Sequence, residues 1–249
     1  MNDVLYIVTP AYNEAENIHR FVEDWYPVID AHNAGGKSRL VIVNDGSKDD
    51  TFALLQELAK ERPLLTPLTK PNSGHGPTVL YAYRYAVVKN ADYIFQTDSD
   101  GQTNPAEFEA FWKMRKAYDA VFGNRTQRGD GQDRAFVEKV LCRILKHYFK
   151  VSVPDSNAPF RLMTRAFLEE FLPKMPVDYN LPNVMLTTFG AYYNKKVKFV
   201  PISFRPRQGG KNSINVKKIV KIGWKALKDF RMIRNQFMAD GQGWTDGQG

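Results

Sequence analysis

The chain has 249 residues, of which 43% are hydrophobic and 25% charged, with a single cysteine, Cys142. These proportions exclude a disordered chain, a collagen-like repeat and a disulfide scaffold, and they allow one large domain or two small ones. A lone cysteine favours a reducing compartment, and no apolar run approaches the ~18 residues of a membrane-spanning helix. We therefore expect a soluble or peripheral intracellular protein without a signal peptide at its N-terminus.

The net charge of +8 is unevenly distributed along the chain. Eight lysines and arginines lie between Lys211 and Arg234 against a single acid, Asp229, so this segment carries +7. A localised basic segment points to an anionic partner, such as a membrane surface, a nucleic acid or a phosphorylated ligand. The alternative is a solvated basic face on an ordinary helix.

Apolar runs of strand length alternate with amphipathic stretches in the first half of the chain. The predicted strands span residues 4–9, 40–44, 64–69, 92–97 and 120–123. A helix is predicted after each of the first four strands. The first begins with Asn13 as its N-cap, and the second follows residues 47–50 and runs to residue 60. The third follows the loop 70–77 and runs to residue 88, and the fourth spans 105–116. This alternation predicts an α/β, Rossmann-like, mostly parallel sheet with helices on both faces, which binds ligands at the carboxyl ends of its strands.

The second half of the chain is less regular. A helix is predicted at 134–150, a mixed stretch at 154–163, a strand at 197–204 and a basic amphipathic helix at 216–238. We expect one domain over residues 1–215, the basic helix at 216–238, and a disordered glycine-rich tail at 239–249.

Three polar clusters follow predicted strands, at residues 9–14, 43–51 and 96–102. In the third cluster, Asp98 and Asp100 are one residue apart, and two carboxylates so close repel each other unless a cation lies between them. Oxygen ligands without nearby His or Cys suit Mg²⁺ or Mn²⁺, completed by a diphosphate. A lone Asp-x-Asp is more often a turn or a helix cap, but here two further clusters occupy matching positions.

Several common motifs are absent from the sequence. There is no Gly-x-Gly-x-x-Gly after the first strand, no P-loop and no Gly-x-Ser-x-Gly elbow. The four histidines have no zinc-ligand spacing. These absences argue against dinucleotide oxidoreductases, P-loop NTPases, serine hydrolases of that type and zinc enzymes.

Five stretches between Val4 and Asn215 together identify a family. They are TPAYNEAENI (9–18), VNDGSKDDT (43–51), KPNSGHG (70–76), QTDSDGQTNP (96–105) and GNR (123–125). In this order they resemble the family 2 glycosyltransferases of the GT-A fold, particularly the dolichyl or polyprenyl phosphate mannosyl and glucosyl synthases. The resemblance implies an enzyme that uses a nucleotide-sugar, GDP- or UDP-linked, and Mg²⁺ or Mn²⁺.

The resemblance also implies a donor site and a metal site. The residues implied to bind the nucleotide-sugar are Pro10, Ala11, Tyr12, Glu14, Asp45, Asp98 and Ser99. Those implied to bind the metal are Asp98, Asp100 and Gln102, which match an Asp-x-Asp-x-Gln arrangement. Pro10 and Tyr12 have ordinary packing at a strand end as their alternative role.

The acceptor decides the subclass of enzyme. A sugar hydroxyl needs a general base, whereas a lipid phosphate is already anionic and needs cations to bind it. The residues expected to bind that phosphate are Arg125, Arg134, Arg207 and Ser213. The stretch from Arg205 to Ser213 departs from the related Arg…Gly-x-Ser-Lys pattern, which leaves the choice between Arg205 and Arg207 open, and pairing with surface acids is an equal alternative for Arg134.

Asp155 lies where related sequences carry an aspartate before a Phe-Arg pair. It is expected to orient the acceptor or the sugar, or to act as the base for a hydroxyl acceptor. A structural role, in which Asp155 pairs with Arg161, is slightly favoured. With Asp100, Arg125 and Arg207, it completes the predicted catalytic set.

The resemblance therefore implies a metal-dependent, inverting transfer of a sugar to a polyprenyl phosphate, which we expect at the cytoplasmic face of a membrane. Lysines at 217, 221, 225 and 228 form one stripe of the basic helix. With Ile222, Trp224 and Phe230 beside them, they predict contact with anionic lipid. The alternatives are the same fold acting on a sugar hydroxyl and, more remotely, a non-catalytic nucleotide-sugar-binding or membrane-binding module. Nucleic acid is not an expected partner.

Overall fold

A computed structural model describes residues 3–128, 132–206 and 229–235. The strands of this part of the chain are β1 (Leu5–Ala11), β2 (Arg39–Asn44), β3 (Leu65–Thr69), β4 (Tyr93–Thr97), β5 (Ala120–Arg128), β6 (Phe160–Thr164) and β7 (Val197–Phe204). Its helices are α1 (Ile18–Ala31), α2 (Thr51–Lys60), α3 (His75–Val88), α4 (Phe108–Met114), α5 (Gln132–Phe149), α6 (Arg165–Phe171) and α7 (Pro182–Tyr192). Short 3₁₀ helices span Pro105–Glu107 and Leu172–Lys174.

The strands form one seven-stranded sheet in the order β3-β2-β1-β4-β6-β5-β7. Every neighbouring pair is parallel except those of β6, which runs antiparallel to both β4 and β5. The predicted mostly parallel α/β sheet is therefore confirmed. Its order reverses around β1 and β4, which brings the carboxyl ends of these two strands together at one edge, where such sheets bind ligands.

Helices cover both faces of the sheet, as the sequence predicts. Along β1 the side chains alternate, so that Leu5 and Ile7 join one core and Tyr6 and Val8 the other. The first core is covered by α1, α2 and α4, and the second by α3, α5, α6 and α7. Strands buried on both faces consist of continuous apolar runs, which is why β1 and β2 are recognisable in the sequence.

The structure departs from the predicted elements at three points. Asn13 is not the N-cap of α1, because it has a φ of 53° and the helix begins five residues later, at Ile18. Strand β5 continues to Arg128 because it pairs with the whole of β7. Helices α6 and α7 were not predicted, since α7 is buried from Pro182 to Gly190 and lacks the polar face that marks an amphipathic helix.

The basic helix at 216–238 and the tail at 239–249 lie outside the described residues, apart from the helical segment 229–235. In that segment Phe230 and Ile233 are buried, and the ring of Phe230 packs 5.7 Å from that of Phe149 at the end of α5. The expected contact of Phe230 with lipid headgroups is therefore wrong, because its side chain packs into the core. Among the helices that the structure describes, none has the length and apolarity needed to cross a bilayer.

Candidate active site

The loops after β1, β2 and β4 are joined by hydrogen bonds at the carboxyl edge of the sheet. Ser99 Oγ donates to the Pro10 carbonyl at 3.0 Å, and the Asp45 backbone N–H donates to the Ala11 carbonyl at 2.8 Å. The three polar clusters of the sequence are thereby brought into one site. Asp45, Ser99 and Ala11 are buried there, and Tyr12 is half-buried.

The loops after β1 and β2 hold each other in place. Asn13 accepts a hydrogen bond from the Lys48 N–H through Oδ1 at 2.9 Å, and its own N–H donates to Ser47 Oγ at 2.9 Å. The Glu14 N–H donates to Thr51 Oγ1, also at 2.9 Å, and Glu14 is buried. Asn13 therefore joins the loop after β1 to the loop after β2. Because its side chain is used in this contact, it does not cap α1.

Asp45 organises the loop that leads into α3. Its carboxylate accepts hydrogen bonds from the N–H groups of Ser73 and Gly74, both at 2.9 Å, and pairs with the ammonium of Lys70. The adjacent Gly46 has a φ of 63°, and a Cβ there would lie 2.8 Å from the Asn72 nitrogen. Asp45 and Gly46 thus set the path of this loop, and the contact of Asp45 with a base or ribose stays a prediction.

The Asp-x-Asp-x-Gln stretch follows β4 directly. Asp98 Oδ1 accepts from Gln96 Nε2 at 2.9 Å, and His75 Nε2 lies 3.8 Å from the same oxygen. Asp100 Oδ1 accepts from the backbone N–H of Gln102 at 3.2 Å, which curls the loop back on itself. The turn between the two aspartates and Gln102 passes through Gly101, whose φ is 72°.

These side chains fit a divalent cation that takes oxygen ligands. Asp98, Asp100 and Gln102 place two carboxylates and one carboxamide on a single loop after β4, and no group of three or more His, Cys, Asp or Glu suited to a metal occurs in the described part of the chain. Such a set is incomplete for Mg²⁺ or Mn²⁺ and suits an ion that also binds a diphosphate. Asp98, Asp100 and Gln102 would be the protein ligands.

Gln102 also connects this loop to the end of β7. It is buried, its Nε2 donates to the Arg205 carbonyl at 2.9 Å, and its own carbonyl accepts from the Arg205 N–H at 2.8 Å. Arg205 therefore lies beside the proposed metal ligands. Arg207 and Ser213, the predicted phosphate ligands that follow it, lie outside the described residues.

A buried charge cluster lies between β5, α5 and the loop 155–157. Arg125 donates to Asp155 from Nε at 2.7 Å and from Nη2 at 2.8 Å, and its Nη2 lies 3.3 Å from Glu138 Oε2. Glu138 also accepts from the N–H and the hydroxyl of Ser156, both at 2.7 Å. Burial raises the pKa of Asp155, but the hydrogen bonds and charge of Arg125 outweigh it, so that this pKa lies below its usual value.

The structure corrects the expected partner of Asp155. Arg161 is fully buried, yet it donates to the carbonyls of Ala158 and Ser156 at 2.9 and 2.8 Å and lies 4.2 Å above the ring of Phe122. Burial lowers the pKa of Arg161 to about 10. Arg125 takes the place beside Asp155 because β5 extends past Gly123 and carries Arg125 toward that loop.

Several residues of the site were not found from the sequence. Glu138 was not singled out, because a glutamate next to Lys139 in an amphipathic helix is typical of a solvated face. His75 lies in a recognised motif but was given no role. Gln96 lies in the third polar cluster but was given no role. Asn183 and Tyr83, which are joined to it by hydrogen bonds across the core, lie too far away in sequence to leave a local signal. Arg134 lies in α5, and its side chain is outside the described part of the structure.

Solved structures with the same fold cover most of this chain. Glucosyl-3-phosphoglycerate synthase from Mycobacterium tuberculosis, crystallised with Mn²⁺, UDP-glucose and phosphoglyceric acid, superposes with a TM-score of 0.69 over 94% of this chain and 80% of that one, at 15% identity. TarS from S. aureus in complex with UDP-GlcNAc gives a TM-score of 0.56 over 88% and 64%, at 18% identity. At these identities the likeness defines the GT-A fold.

Curated relatives show sequence similarity as well. The chain is 25% identical over 225 residues to dolichyl-phosphate beta-glucosyltransferase ALG5A of Trichomonas vaginalis, covering 85% of this chain and 68% of that protein. It is 29% identical to the uncharacterized glycosyltransferase YkcC of Bacillus subtilis over 66% and 50% of the two chains. A third is undecaprenyl-phosphate 4-deoxy-4-formamido-L-arabinose transferase of Pectobacterium carotovorum, at 26% identity over 68% and 50%. The chain thus spans about half the length of the last two.

The mostly parallel seven-stranded sheet has the GT-A fold. Residues 6–172 match the family Glycosyl transferase family 2, and the chain belongs to that family.

Proposed function

We propose that this enzyme transfers a sugar from a UDP- or GDP-sugar to a polyprenyl phosphate, with inversion at the anomeric carbon and dependence on Mg²⁺ or Mn²⁺. We choose this acceptor class because Asp155 is buried and ion-paired. This residue is 2% exposed, and its carboxylate is held at two points by Arg125. The names of the dolichyl-phosphate and undecaprenyl-phosphate relatives support the same acceptor class.

A hydroxyl acceptor requires a general base, and Asp155 is poorly suited to that task. A good base has a pKa near the working pH and lies within reach of the proton it removes. The pKa of Asp155 is lowered by the hydrogen bonds and charge of Arg125, which exceed the opposing effect of burial. A phosphate monoester is already ionised near neutral pH, so its attack needs no such base.

The donor side of the site is supported by the residues after β1, β2 and β4. Asp45, Glu14 and Ser99 are buried in the loops after these strands, and we assign them, with Pro10, Ala11 and Tyr12 at the end of β1, to binding of the nucleotide-sugar. Asp98, Asp100 and Gln102 would hold the cation. A divalent cation bound there neutralises the diphosphate and makes it a better leaving group.

The reaction is a single displacement. A phosphate oxygen of the acceptor attacks the anomeric carbon from the face opposite the nucleotide, a new C–O bond forms, and the bond to the diphosphate breaks with its electron pair. Arg207 and Arg134 are proposed to bind the acceptor phosphate, because guanidinium groups match its oxygens in geometry and charge. Ser213 is proposed to donate a hydrogen bond to the same phosphate from its hydroxyl. Arg125 is engaged by Asp155 and Glu138, so we assign it the positioning of the loop 155–157 and keep phosphate contact as a further prediction.

The site of action is proposed to be the cytoplasmic face of a membrane. The basic segment 211–234 carries most of the net charge of the protein and would contact anionic headgroups, which brings the site close to its lipid acceptor.

The acceptor class is tested by comparing polyprenyl phosphate with the same polyprenol lacking the phosphate. Each lipid is supplied in detergent with Mn²⁺ and a panel of labelled UDP- and GDP-sugars, and label in the organic phase is counted. We expect transfer to polyprenyl phosphate alone, and ¹H NMR of the product shows the anomeric configuration opposite to that of the donor. Transfer to free sugars or polyprenol, lost in Asp155→Asn, would instead establish a hydroxyl acceptor.

A further inference from the structure

Three hydrogen bonds cross the core from α3 to the acidic loop. The Tyr83 hydroxyl donates to Asn183 Oδ1 at 2.7 Å, Asn183 Nδ2 donates to Gln96 Oε1 at 3.0 Å, and Gln96 Nε2 donates to Asp98 Oδ1 at 2.9 Å. Tyr83 and Gln96 are fully buried, and Asn183 is 3% exposed. The four residues come from α3, α7, β4 and the loop after β4, so that this polar chain links three elements to one carboxylate.

The direction of the chain is set at its end in the site. An ionised carboxylate accepts hydrogen bonds only, so Asp98 requires the amide nitrogen of Gln96 to face it. The Gln96 oxygen then points back and accepts from the nitrogen of Asn183, whose oxygen accepts from Tyr83. Burial raises the pKa of the Tyr83 hydroxyl, which therefore keeps its proton and remains the donor that begins the chain.

The arrangement leaves the two oxygens of Asp98 in different situations. Oδ1 is held by Gln96 and lies 3.8 Å from His75 Nε2, whereas Oδ2 has no hydrogen-bond partner within residues 3–128, 132–206 and 229–235. A hydrogen bond on one oxygen fixes the rotation of the carboxylate about its last torsion. Polar partners of this kind, behind the ligand itself, set the orientation and basicity of metal-binding side chains.

We infer that Tyr83, Asn183 and Gln96 are positioning residues that hold the Asp98 carboxylate in the orientation needed to bind the divalent cation. The inference rests on the proposed function, because it assumes that Asp98 is a metal ligand. It adds to that function three residues, none of which would touch the metal or either substrate. Each of these buried side chains is hydrogen-bonded to the next, and Gln96 is bonded to the carboxylate. Replacing one of them by an apolar residue costs free energy, because it leaves a buried partner unpaired.

The test measures metal binding directly, through the loss of the free Mn²⁺ EPR signal on titration. The full chain is titrated with Mn²⁺ at saturating UDP and, in a parallel series, at saturating GDP. Asn183→Leu removes the central link, and Tyr83→Phe removes only the terminal hydroxyl. Thr188→Val is the matched control, because Thr188 is a fully buried polar residue on the same helix whose hydroxyl donates to the Val184 carbonyl, outside the chain.

We expect Asn183→Leu to weaken Mn²⁺ binding by roughly 10-fold or more. Tyr83→Phe is expected to weaken Mn²⁺ binding by only roughly threefold. The amides of Asn183 and Gln96 remain in this variant, and Gln96 Nε2 can still donate to Asp98. Thr188→Val should leave Mn²⁺ binding unchanged. Binding of the nucleotide without metal, measured by calorimetry in EDTA, should be the same in all four proteins, which separates positioning from a general loss of structure.

The outcomes distinguish this inference from the proposed function. If the wild type binds Mn²⁺ with UDP or GDP and both chain variants bind it equally well, the positioning role is wrong and the metal site stands. The positioning role is also wrong if nucleotide binding in EDTA falls in parallel with Mn²⁺ binding. If Asn183→Leu does not fold, Tyr83→Phe alone decides. If the wild type binds no Mn²⁺ with either nucleotide, the metal site and the inference both fail.

Discussion

The guanidinium of Arg125 and the carboxylate of Asp155 form a two-point ion pair inside the protein, with Nε 2.7 Å from Oδ2 and Nη2 2.8 Å from Oδ1. The Arg125 backbone N–H adds a third bond to Oδ2 at 3.2 Å. These bonds connect β5 to the loop before β6, next to the predicted acceptor side. The shape of that side therefore depends on a pair of charges that are almost entirely removed from water.

Removing one partner of this ion pair should lower the stability of the fold. Arg125→Met leaves Asp155 and Glu138 buried without their cation, and we expect the free energy of unfolding to fall by about 3–5 kcal/mol in urea denaturation. The control is Arg20→Met, which removes the exposed pair of Arg20 with Asp24 and should cost less than about 1 kcal/mol. Equal losses in the two variants would contradict a structural role for Arg125.

The same pair predicts a pH dependence of stability. Because the folded pKa of Asp155 is lowered, its contribution is complete above the unfolded pKa of about 3.9 and is lost as the pH falls through the lower folded value. The difference in unfolding free energy between the wild type and Asp155→Asn should therefore shrink from about pH 5 down to about pH 3. Urea midpoints across this range measure it, and a difference that stays constant would show that the ionised carboxylate adds nothing.

Gly76, in the first turn of α3, permits a close approach of the loop before α7. A Cβ at this position would lie 2.3 Å from the Asn180 carbonyl oxygen, and backbone cannot move aside as easily as a side chain. We expect Gly76→Ala to lower the free energy of unfolding by about 2–3 kcal/mol. Gly190→Ala is the control. The nearest atom to its Cβ would be Val197 Cγ2, at 2.8 Å, which belongs to a side chain and can move aside more easily than backbone. A Gly76→Ala protein as stable as this control would contradict the tight contact.

Asp100→Asn tests the metal assignment. The substitution keeps the size of the side chain but removes a charge from the proposed ligand set, so turnover should fall at least about a hundredfold, as expected when a metal that supplies several kcal/mol of charge stabilisation is lost. Circular dichroism and the unfolding midpoint should remain unchanged. The exposed acid Glu57 provides the control, and Glu57→Gln should keep full activity. Near-normal turnover in Asp100→Asn would refute the assignment.

Arg207→Ala tests the proposed acceptor site. Loss of a charge-assisted hydrogen bond to phosphate, worth about 1.5–3 kcal/mol, should raise the KM for polyprenyl phosphate by roughly 10-fold or more and leave the KM for the nucleotide-sugar nearly unchanged. Initial rates at varied concentrations of each substrate separate the two constants. Arg205→Ala run beside it decides which arginine binds the phosphate, and a rise in both constants to the same extent would argue against a specific acceptor contact.

The sequence predicts those elements whose residues carry the pattern themselves, and it fails where contacts with distant residues decide the structure. Strands β1 and β2 are apolar runs bounded by polar loops, and β7 is a mainly apolar stretch rich in β-branched and aromatic residues. All three were predicted to within two residues. Helix α7 was missed because burial on all sides removes its polar face. The start of α1 was misplaced because Asn13, a good N-cap residue, is held by the neighbouring loop at Lys48 instead.

The candidate site shows the same division. The polar clusters after β1, β2 and β4 could be placed at one edge because parallel strands end together. The expected pairing of Asp155 with Arg161 was wrong, because the sequence did not show that β5 extends far enough to bring Arg125 to Asp155. The chain of hydrogen bonds from Tyr83 to Asp98 joins residues up to 100 positions apart, and only the packed structure brings them together.

Dependence on both a divalent cation and a lipid phosphate is the central property proposed for this enzyme. The most direct measurement is transfer of label from nucleotide-sugars to polyprenyl phosphate by metal-stripped protein, with and without added Mn²⁺. We expect label in the organic phase only when the cation and the lipid phosphate are both present. Transfer that is undiminished in EDTA, or equal transfer without the lipid phosphate, would contradict the proposed function.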